Sequence, residues 1–134
     1  MGLYDWDRMT AEEITDLYLR KVAIGENITV ARVEVKEGAI THAHRHENEE
    51  MILVLKGSWR FQLPNGAVTL SENQMLSIPP GVEHSSEALA DTVALDICAP
   101  TRSIWCSRVF VSSSWKRGRP LLFSFIHSRA NAPD

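Results

Sequence analysis

The stretch EMILVLKGSWRFQLPNGAVTL, residues 50–70, decides the fold class. Its apolar residues form short runs that are interrupted at Gly57 and at Pro64. The PNGA segment at 64–67 indicates a hairpin turn, because Asn and Gly adopt positive φ angles at little steric cost. We therefore predict strands at 50–57 and 58–63, and a further strand that begins at 68 after the turn.

Similar runs lie on both sides of this hairpin. Strand patterns occur at residues 28–35, 68–70, 75–78, 84–89 and 92–99, with Gly, Pro, Asn or Asp between them. Short strands that recur about every ten residues are typical of an all-β sandwich or barrel. The sequence therefore predicts an all-β fold, and the double-sheet jelly roll fits it best.

One helix is predicted before these strands, in the segment TAEEITDL at 10–17. Thr10 and Glu13 have the spacing of a capping box, and Ile14 and Leu17 begin an apolar face. We expect a short N-terminal helix of about two turns.

Length and composition indicate one globular domain of 134 residues. The acidic start of the chain does not look like a secretory signal, and no apolar run reaches the roughly 18 residues of a membrane span. Cys98 and Cys106 are the only cysteines, and they form no CxxC motif. We therefore expect no disulfide framework and a cytoplasmic, reducing location.

Charge is distributed unevenly along the chain. Residues 1–100 carry eight basic and sixteen acidic side chains, whereas residues 101–134 carry six basic and one acidic. The acidic body would repel phosphate groups, so we expect no nucleic-acid partner. The basic, Ser-rich segment 103–134 is read either as short strands at VFV and LLFSFI, which could cross a dimer, or as a loose extension.

The segment THAHRHENEE at 41–50 is a candidate metal site. In a strand, His42, His44 and His46 would share one face, and Glu50 begins the next strand. A Pro-Pro-Gly turn places His84 at the head of a later strand. Three imidazoles and a carboxylate suit one divalent transition metal: Mn, Fe, Ni, Co or Zn. By itself, a His-x-His pair is more often a solvated strand that binds nothing.

The spacing of these residues resembles the two motifs of a small single-domain cupin. The first motif, G-x5-H-x-H-x3-E-x6-G, is matched in full by Gly38, His44, His46, Glu50 and Gly57. The second is matched by the group Pro79, Gly81 and His84, with Asn73 and Ala88 where Gly and Asn are usual. The resemblance implies that His44, His46, Glu50 and His84 bind the metal. His42 is left over, either as a pocket residue or as an exposed polar side chain.

The resemblance also implies the domain layout. It predicts a cupin double-stranded β-helix over 28–102, an N-terminal segment at 1–27 with the short helix and a strand, and a C-terminal extension at 103–134.

A finer likeness concerns ALADTVALDICAPTR at 88–102. This segment resembles the pectin-degradation cupins that linearise unsaturated uronates. That resemblance implies Asp96 as general acid/base and Arg102 as the group that binds the carboxylate of a sugar acid. Cys98 stands where that group has an aromatic residue. We expect a homodimer that acts on a small molecule without a membrane partner.

Two alternatives remain open. Glu50, where the uronate group has Gln, favours Mn or Fe and thus a dioxygenase of a small enolic or diketone-like substrate. Its pocket would be apolar, lined by core-type residues on the predicted strands: Met51, Leu53, Leu55, Trp59 and Phe61. The other alternative is a cupin that binds a small ligand without turnover.

Overall fold

The computed structural model describes residues 2–101 and the backbone of residues 110–112 and 124–125. A 3-10 helix at Trp6–Arg8 precedes the strands. These are β1 Glu12–Thr15, β2 Tyr18–Ile24, β3 Thr29–Val35, β4 Ile40–His44, β5 Glu49–Lys56, β6 Trp59–Leu63, β7 Gly66–Leu70, β8 Met75–Ile78, β9 His84–Ala88, β10 Thr92–Ala99, β11 Phe110–Ser112 and β12 Ser124–Phe125.

The strands form two six-stranded sheets. Sheet A has the order β1-β2-β3-β10-β5-β8, and sheet B has the order β12-β11-β4-β9-β6-β7. The strand pairs in both sheets are antiparallel. The predicted all-β class and double-sheet jelly roll are therefore confirmed.

Alternation along the strands separates the core from the surface. In β5, Ile52 and Val54 are buried, whereas the flanking Met51 and Leu55 are more than a third exposed. Side chains of Val33, Val54 and Ala94 fill the space between the sheets at one end. Toward the other end, the same strands carry polar residues such as Glu50 on the inward face, so one end of the sandwich is packed and the other holds a site.

The predicted helix at 10–17 is wrong. Residues Glu12–Thr15 form strand β1, which pairs with β2 at the edge of sheet A. Ile14 is 4% exposed and joins the core, and the Leu17 N–H donates to Thr15 Oγ1 in the turn that follows. A two-turn helix is too short to be stable alone, so pairing with β2 outweighs the local capping signal.

The strands predicted from alternation and turns are confirmed with small shifts at their ends. The segment 28–35 corresponds to β3, 75–78 to β8, and 92–99 to β10. β6 and β7 form the hairpin expected at 64–67, with Leu63 opposite Gly66.

Gly57 and Asn73, which both lie at positions of the cupin motifs, have positive φ angles. Asn73 has φ 70°, the left-handed conformation that Asn tolerates. Gly57 has φ +105°, and a Cβ there would lie 2.4 Å from the Asp91 carbonyl oxygen. No other residue type fits at Gly57 without strain.

Toward the C-terminus, β11 pairs with β4 and β12 pairs with β11 within the same chain. The domain boundaries predicted at 27/28 and 102/103 stay predictions. Within the described ranges, no helix is long and apolar enough to span a membrane.

Candidate metal centre

Three histidines meet at the polar end of the sandwich. His44 ends β4, and His84 begins β9 directly opposite it, at the head of its strand as predicted. His46 lies two residues beyond β4, where its carbonyl accepts a 2.7 Å hydrogen bond from the Gly81 N–H. Ring centroids are 4.4 Å apart for His44 and His84, 5.0 Å for His46 and His84, and 5.5 Å for His44 and His46.

Backbone carbonyls fix the tautomer of all three rings. Nδ1 of His44 donates to the His42 carbonyl at 2.9 Å, Nδ1 of His46 to the Asn48 carbonyl at 3.0 Å, and Nδ1 of His84 to the Val82 carbonyl at 2.9 Å. Because a carbonyl only accepts, each Nδ1 carries the proton and each Nε2 carries a lone pair. This is how metal-binding imidazoles are usually oriented.

Glu50 faces the histidines from the opposite sheet. Its Oε1 lies 3.3 Å from His46 Nε2 and 3.1 Å from His84 Nε2, and its side chain is 5% exposed. Burial alone would raise its pKa, but a hydrogen bond with Asp96 and the neighbouring His46 and His84 side chains outweigh burial and lower the pKa of Glu50 far below its usual value. The group is therefore a buried carboxylate next to lone-pair nitrogens.

The donor set fits a metal ion. Candidate ligand atoms of His44, His46 and His84 all lie within 4.8 Å of one another. Two ligands on one ion with bonds of ~2.1 Å are separated by roughly 3 Å when adjacent and ~4.2 Å when opposite. Nε2 lone pairs and an acceptor oxygen at such distances repel one another unless a cation lies between them.

The charges of the rings agree with this geometry. Burial lowers the pKa of His44 below its ordinary value and keeps the ring neutral, as a ligand must be. For His84, burial also acts to lower the pKa, but the hydrogen bond and the charge of Glu50 outweigh it and raise the pKa.

The prediction that His42 shares a face with His44 and His46 is wrong. Register between β4 and β9 shifts between Thr41 and His44, so β4 contains one extra residue. Such a bulge interrupts the alternation of side chains. His42 instead lines a shallow surface pocket with Arg60 and Glu87, outside the three-histidine cluster.

Asp96 lies on β10, inside the same cavity as Glu50. Burial, then the charge of Glu50 and a hydrogen bond with it, raise the pKa of Asp96 well above its usual range, against a smaller lowering by Arg20. Asp96 is therefore the protonated partner of the carboxyl pair. It is not a surface charge on an edge strand, since β10 lies between β3 and β5.

The cavity that joins these groups has a volume of about 40 Å³. Its walls include polar residues from both sheets and an aromatic pair, and they comprise among others Tyr18, Arg20, His44, Glu50, Trp59, Phe61, His84 and Asp96. This is room for roughly three waters. A substrate as large as a sugar would thus reach the histidines with only one edge.

Five residues were expected to line an apolar pocket for the dioxygenase, and two of them line the cavity. Trp59 and Phe61 line the cavity, with ring centroids 4.9 Å apart. Met51, Leu53 and Leu55 lie on the alternate positions of β5, away from the inward-facing Glu50 and Ile52.

Cys98 is 3% exposed, lines the cavity and is disulfide-bonded. The sequence predicts no disulfide framework, and it does not predict this single bond. A count of two cysteines without a CxxC excludes a framework of several bonds but not a single bond.

Sequence reasoning missed three residues around the site. Arg20 and Tyr18 line the cavity from β2, and buried Asn48 holds the carbonyl that orients His46. Alternation along YLRKVAI places Tyr18, Arg20 and Val22 on one face, so a charged residue in that inward set was a usable signal. Arg102, predicted as a substrate-binding residue, lies outside the described residues.

Comparison with known proteins agrees with this architecture. Residues 31–98 match the cupin domain family, and no curated protein matches the chain. Similar solved structures include KdgF from Halomonas sp., with a TM-score of 0.71 at 22% identity over 75% of this chain and 96% of that one. An RmlC-like cupin from Shewanella frigidimarina has a TM-score of 0.71 at 16% identity, over 76% and 93%.

A predicted oxalate decarboxylase from Thermotoga maritima has a TM-score of 0.67 at 16% identity, over 75% of this chain and all of that one. At these identities the structural likeness concerns the fold. The family match covers half of the chain and includes both cupin motifs, and the two sheets enclose the three histidines as those motifs require. The chain belongs to the cupin family.

Proposed function

We propose that this cupin is a metal-dependent enzyme that opens the ring of an unsaturated uronate. The observation that carries the proposal is the cavity in which the three oriented imidazoles, Glu50 and a proton-bearing Asp96 meet. His44, His46, His84 and Glu50 are the proposed ligands of one divalent transition metal. The likeness of residues 88–102 to the uronate-opening cupins supports the choice of substrate.

Asp96 is the proposed general acid and base. Its carboxyl delivers a proton to the ring oxygen as the bond from that oxygen to the hemiacetal carbon breaks, and the resulting carboxylate takes the proton of the hemiacetal hydroxyl. The products of this step are an aldehyde and an enol, which rearranges to a ketone, so no proton is gained or lost overall. A bound metal would act as a Lewis acid toward the substrate oxygens.

Arg102 is the proposed partner of the substrate carboxylate, through the planar two-donor contact that guanidinium groups make. This assignment depends on its place after Pro100 in the segment that resembles the uronate group.

A second candidate is an Fe- or Mn-dependent dioxygenase of a small enolic or diketone-like substrate. Glu50 favours it, because its buried carboxylate lies against two of the three histidines and lowers the net charge of the centre. The aromatic wall of Trp59 and Phe61 and the small volume of the cavity also suit a compact substrate.

One set of assays separates these functions. The protein is purified without oxygen, its metal content is measured, and an unsaturated uronate is added with and without oxygen. Loss of the absorbance of the conjugated double bond in the absence of oxygen is the expected result. If oxygen is consumed with a small enol and the uronate does not react, the proposed ring-opening function is wrong and the dioxygenase is supported. If a ligand shifts the melting temperature but neither the uronate nor the enol is turned over, the protein binds a small ligand without catalysis.

We infer in addition that the protein is a homodimer. Met51, Leu55 and Met75 are each at least 36% exposed, and all project from the outer side of β5 and β8. Exposed apolar side chains grouped in this way favour burial against a second copy. Light scattering during size-exclusion chromatography gives the mass, and a mass of 15.1 kDa would contradict the dimer.

A further inference from the structure

Two buried hydroxyl groups in the cavity of the candidate metal centre take no part in the reaction described above. Tyr18 lies on β2 of sheet A and is 5% exposed, and Ser86 lies on β9 of sheet B and is 7% exposed. Both side chains line the cavity that His44 and Glu50 also line. Each sheet therefore contributes one hydroxyl group to the same small space.

Neither hydroxyl forms a hydrogen bond within the part of the chain that the structure describes. Neither oxygen is among the fully enclosed polar atoms without a partner, so each is open to the space of the cavity. Buried polar groups are nearly always hydrogen-bonded, because an unpaired group loses its interactions with water and gains nothing in return. The two hydroxyl groups are therefore paired only when a molecule enters the cavity.

Ser86 lies next to the candidate metal ligands. It follows His84 by two residues on the same face of β9, and both side chains are buried. In the sheet register Ser86 lies opposite Phe61, whose ring also lines the cavity. A molecule that reaches the histidines therefore meets a hydroxyl group and an aromatic ring side by side.

Tyr18 faces this wall from the other sheet. Burial raises the pKa of its phenol, and the electrostatic effects of Asp96, Arg20 and Glu50 also reach it, so its oxygen is directed toward these cavity residues. The phenol keeps its proton at neutral pH, and it can both donate and accept a hydrogen bond. Because the cavity has room for only about three waters, one edge of a small ring can contact both Tyr18 and Ser86.

We propose that the hydroxyl groups of Tyr18 and Ser86 bind a hydroxyl group of the substrate and make the site selective for a hydroxylated ring. This inference rests on the proposed function, because it concerns recognition of the same substrate. A sugar hydroxyl can donate to one side chain and accept from the other, whereas a carbonyl can only accept. Phe61 offers an apolar surface to the C–H groups of the same ring, and a few polar groups on apolar walls are typical of small-molecule sites.

The test compares D-galacturonate with its hydroxyl-free counterpart, a tetrahydropyran ring that carries a carboxylate on the carbon beside the ring oxygen. Binding of each acid to Zn²⁺-loaded protein is measured by titration calorimetry. We expect the wild type to bind the sugar acid at least about tenfold more tightly, because the hydroxyl-free acid leaves the buried groups unpaired. Tyr18→Phe and Ser86→Ala should each reduce this ratio about threefold to tenfold, the effect of one neutral hydrogen bond, without changing the affinity for the hydroxyl-free acid.

Two variants are the matched controls. Tyr4→Phe removes the hydroxyl of an exposed tyrosine, and Ser77→Ala removes that of an exposed serine on β8. Both should keep the wild-type ratio of affinities. The content of Zn²⁺ should be the same in the wild type, the controls and the two test variants, since neither test variant removes a proposed metal ligand. If one test variant fails to fold, the other decides.

Three results would overturn this inference: no preference of the wild type for D-galacturonate, a wild-type ratio in a folded Tyr18→Phe or Ser86→Ala, or an equal loss of affinity for both acids in these variants. The last result would assign the hydroxyl groups a structural role only. Failure of the proposed function gives a different result. In that case the unsaturated uronate is not turned over, while the ratio of the two affinities still falls in the test variants.

Discussion

The tautomer of each histidine is the residue-scale property from which the chemistry follows. Each Nδ1 donates to a carbonyl two residues away in the chain, before His44 and His84 and after His46. Local backbone geometry therefore directs every Nε2 lone pair toward the same space. Glu50, from the other sheet, adds a negative charge at 3.1–3.3 Å from two of them.

His84→Ala tests this convergence. Removing one of the converging ligands should lower the affinity for Zn²⁺ by more than about a hundredfold, beyond the 10- to 100-fold typical of outer partners. Metal per chain after loading and desalting is the measurement. His42→Ala is the matched control, because His42 lies outside the cluster and should keep full occupancy. Full occupancy in His84→Ala would refute the ligand assignment.

Gly57 offers a second prediction at this scale. In Gly57→Ala, the new Cβ would lie 2.4 Å from the Asp91 carbonyl oxygen and 2.5 Å from Thr92 Oγ1. Thr92 Oγ1 already bonds to Ser58 and Ala90, so it cannot move without cost. We expect the free energy of unfolding to fall by about 3 kcal/mol or more, from the left-handed strain plus the overlap.

Gly66→Ala is the control for that strain. Gly66 has φ +135°, but no atom of the described residues would lie within 4 Å of a Cβ at this position. Urea unfolding of both variants should give the smaller loss, about 1–2 kcal/mol, for Gly66→Ala. Equal losses would mean that the contacts at Gly57 contribute nothing.

At the scale of strands, local sequence patterns predict a strand correctly where the strand and its turn are adjacent in the sequence. The β6–β7 hairpin and β8 follow from alternation and turn residues alone. The bulge in β4 and the strand at Glu12–Thr15 depend on pairing with other strands, β9 and β2, and so could not be derived from a window of neighbours. For this reason strict alternation predicts the wrong face for His42, and the capping pattern predicts a helix where β1 forms.

The loop between β4 and β5 shows, at the site itself, the same limit of prediction from neighbouring residues. The motif spacing identified His46 and Glu50, but not Asn48 between them. Asn48 is 2% exposed; its amide donates to the Pro100 carbonyl, and its own carbonyl orients His46. Only the folded chain brings residue 100 beside residue 48.

Asn48→Ala should therefore affect both stability and the metal. We expect a loss of about 1–2 kcal/mol in the free energy of unfolding, from the unmade buried hydrogen bond. The affinity for Zn²⁺ should fall about tenfold, because His46 loses a fixed orientation. Gln62→Ala removes a similar amide-to-carbonyl bond from an exposed position and should change neither value measurably. An unchanged affinity for Zn²⁺ in Asn48→Ala would show that other contacts hold the loop between β4 and β5.

For the whole molecule, the sandwich is asymmetric, with an apolar end and an end where titratable groups are buried together. Tyr18, 5% exposed, lies at the boundary between them and both joins the core and lines the cavity. Burial, followed by the electrostatic effect of Asp96, raises the pKa of Tyr18 well above its usual value, and Arg20 offsets only part of this.

The raised pKa of Tyr18 predicts the response of the fold to alkali. Above about pH 10 the unfolded chain releases the Tyr18 proton while the folded protein retains it, so unfolding becomes easier as the pH rises. This contribution is fully present below the unfolded pKa and declines by about 1.4 kcal/mol per pH unit above it. Urea unfolding between about pH 9 and pH 11.5 should show that slope in the wild type and a shallower one in Tyr18→Phe. Tyr4→Phe, at an exposed side chain whose hydroxyl donates to the Ile24 carbonyl, should keep the wild-type slope. Identical slopes in the wild type and Tyr18→Phe would mean that the phenol ionises as readily in the folded protein as in the unfolded chain.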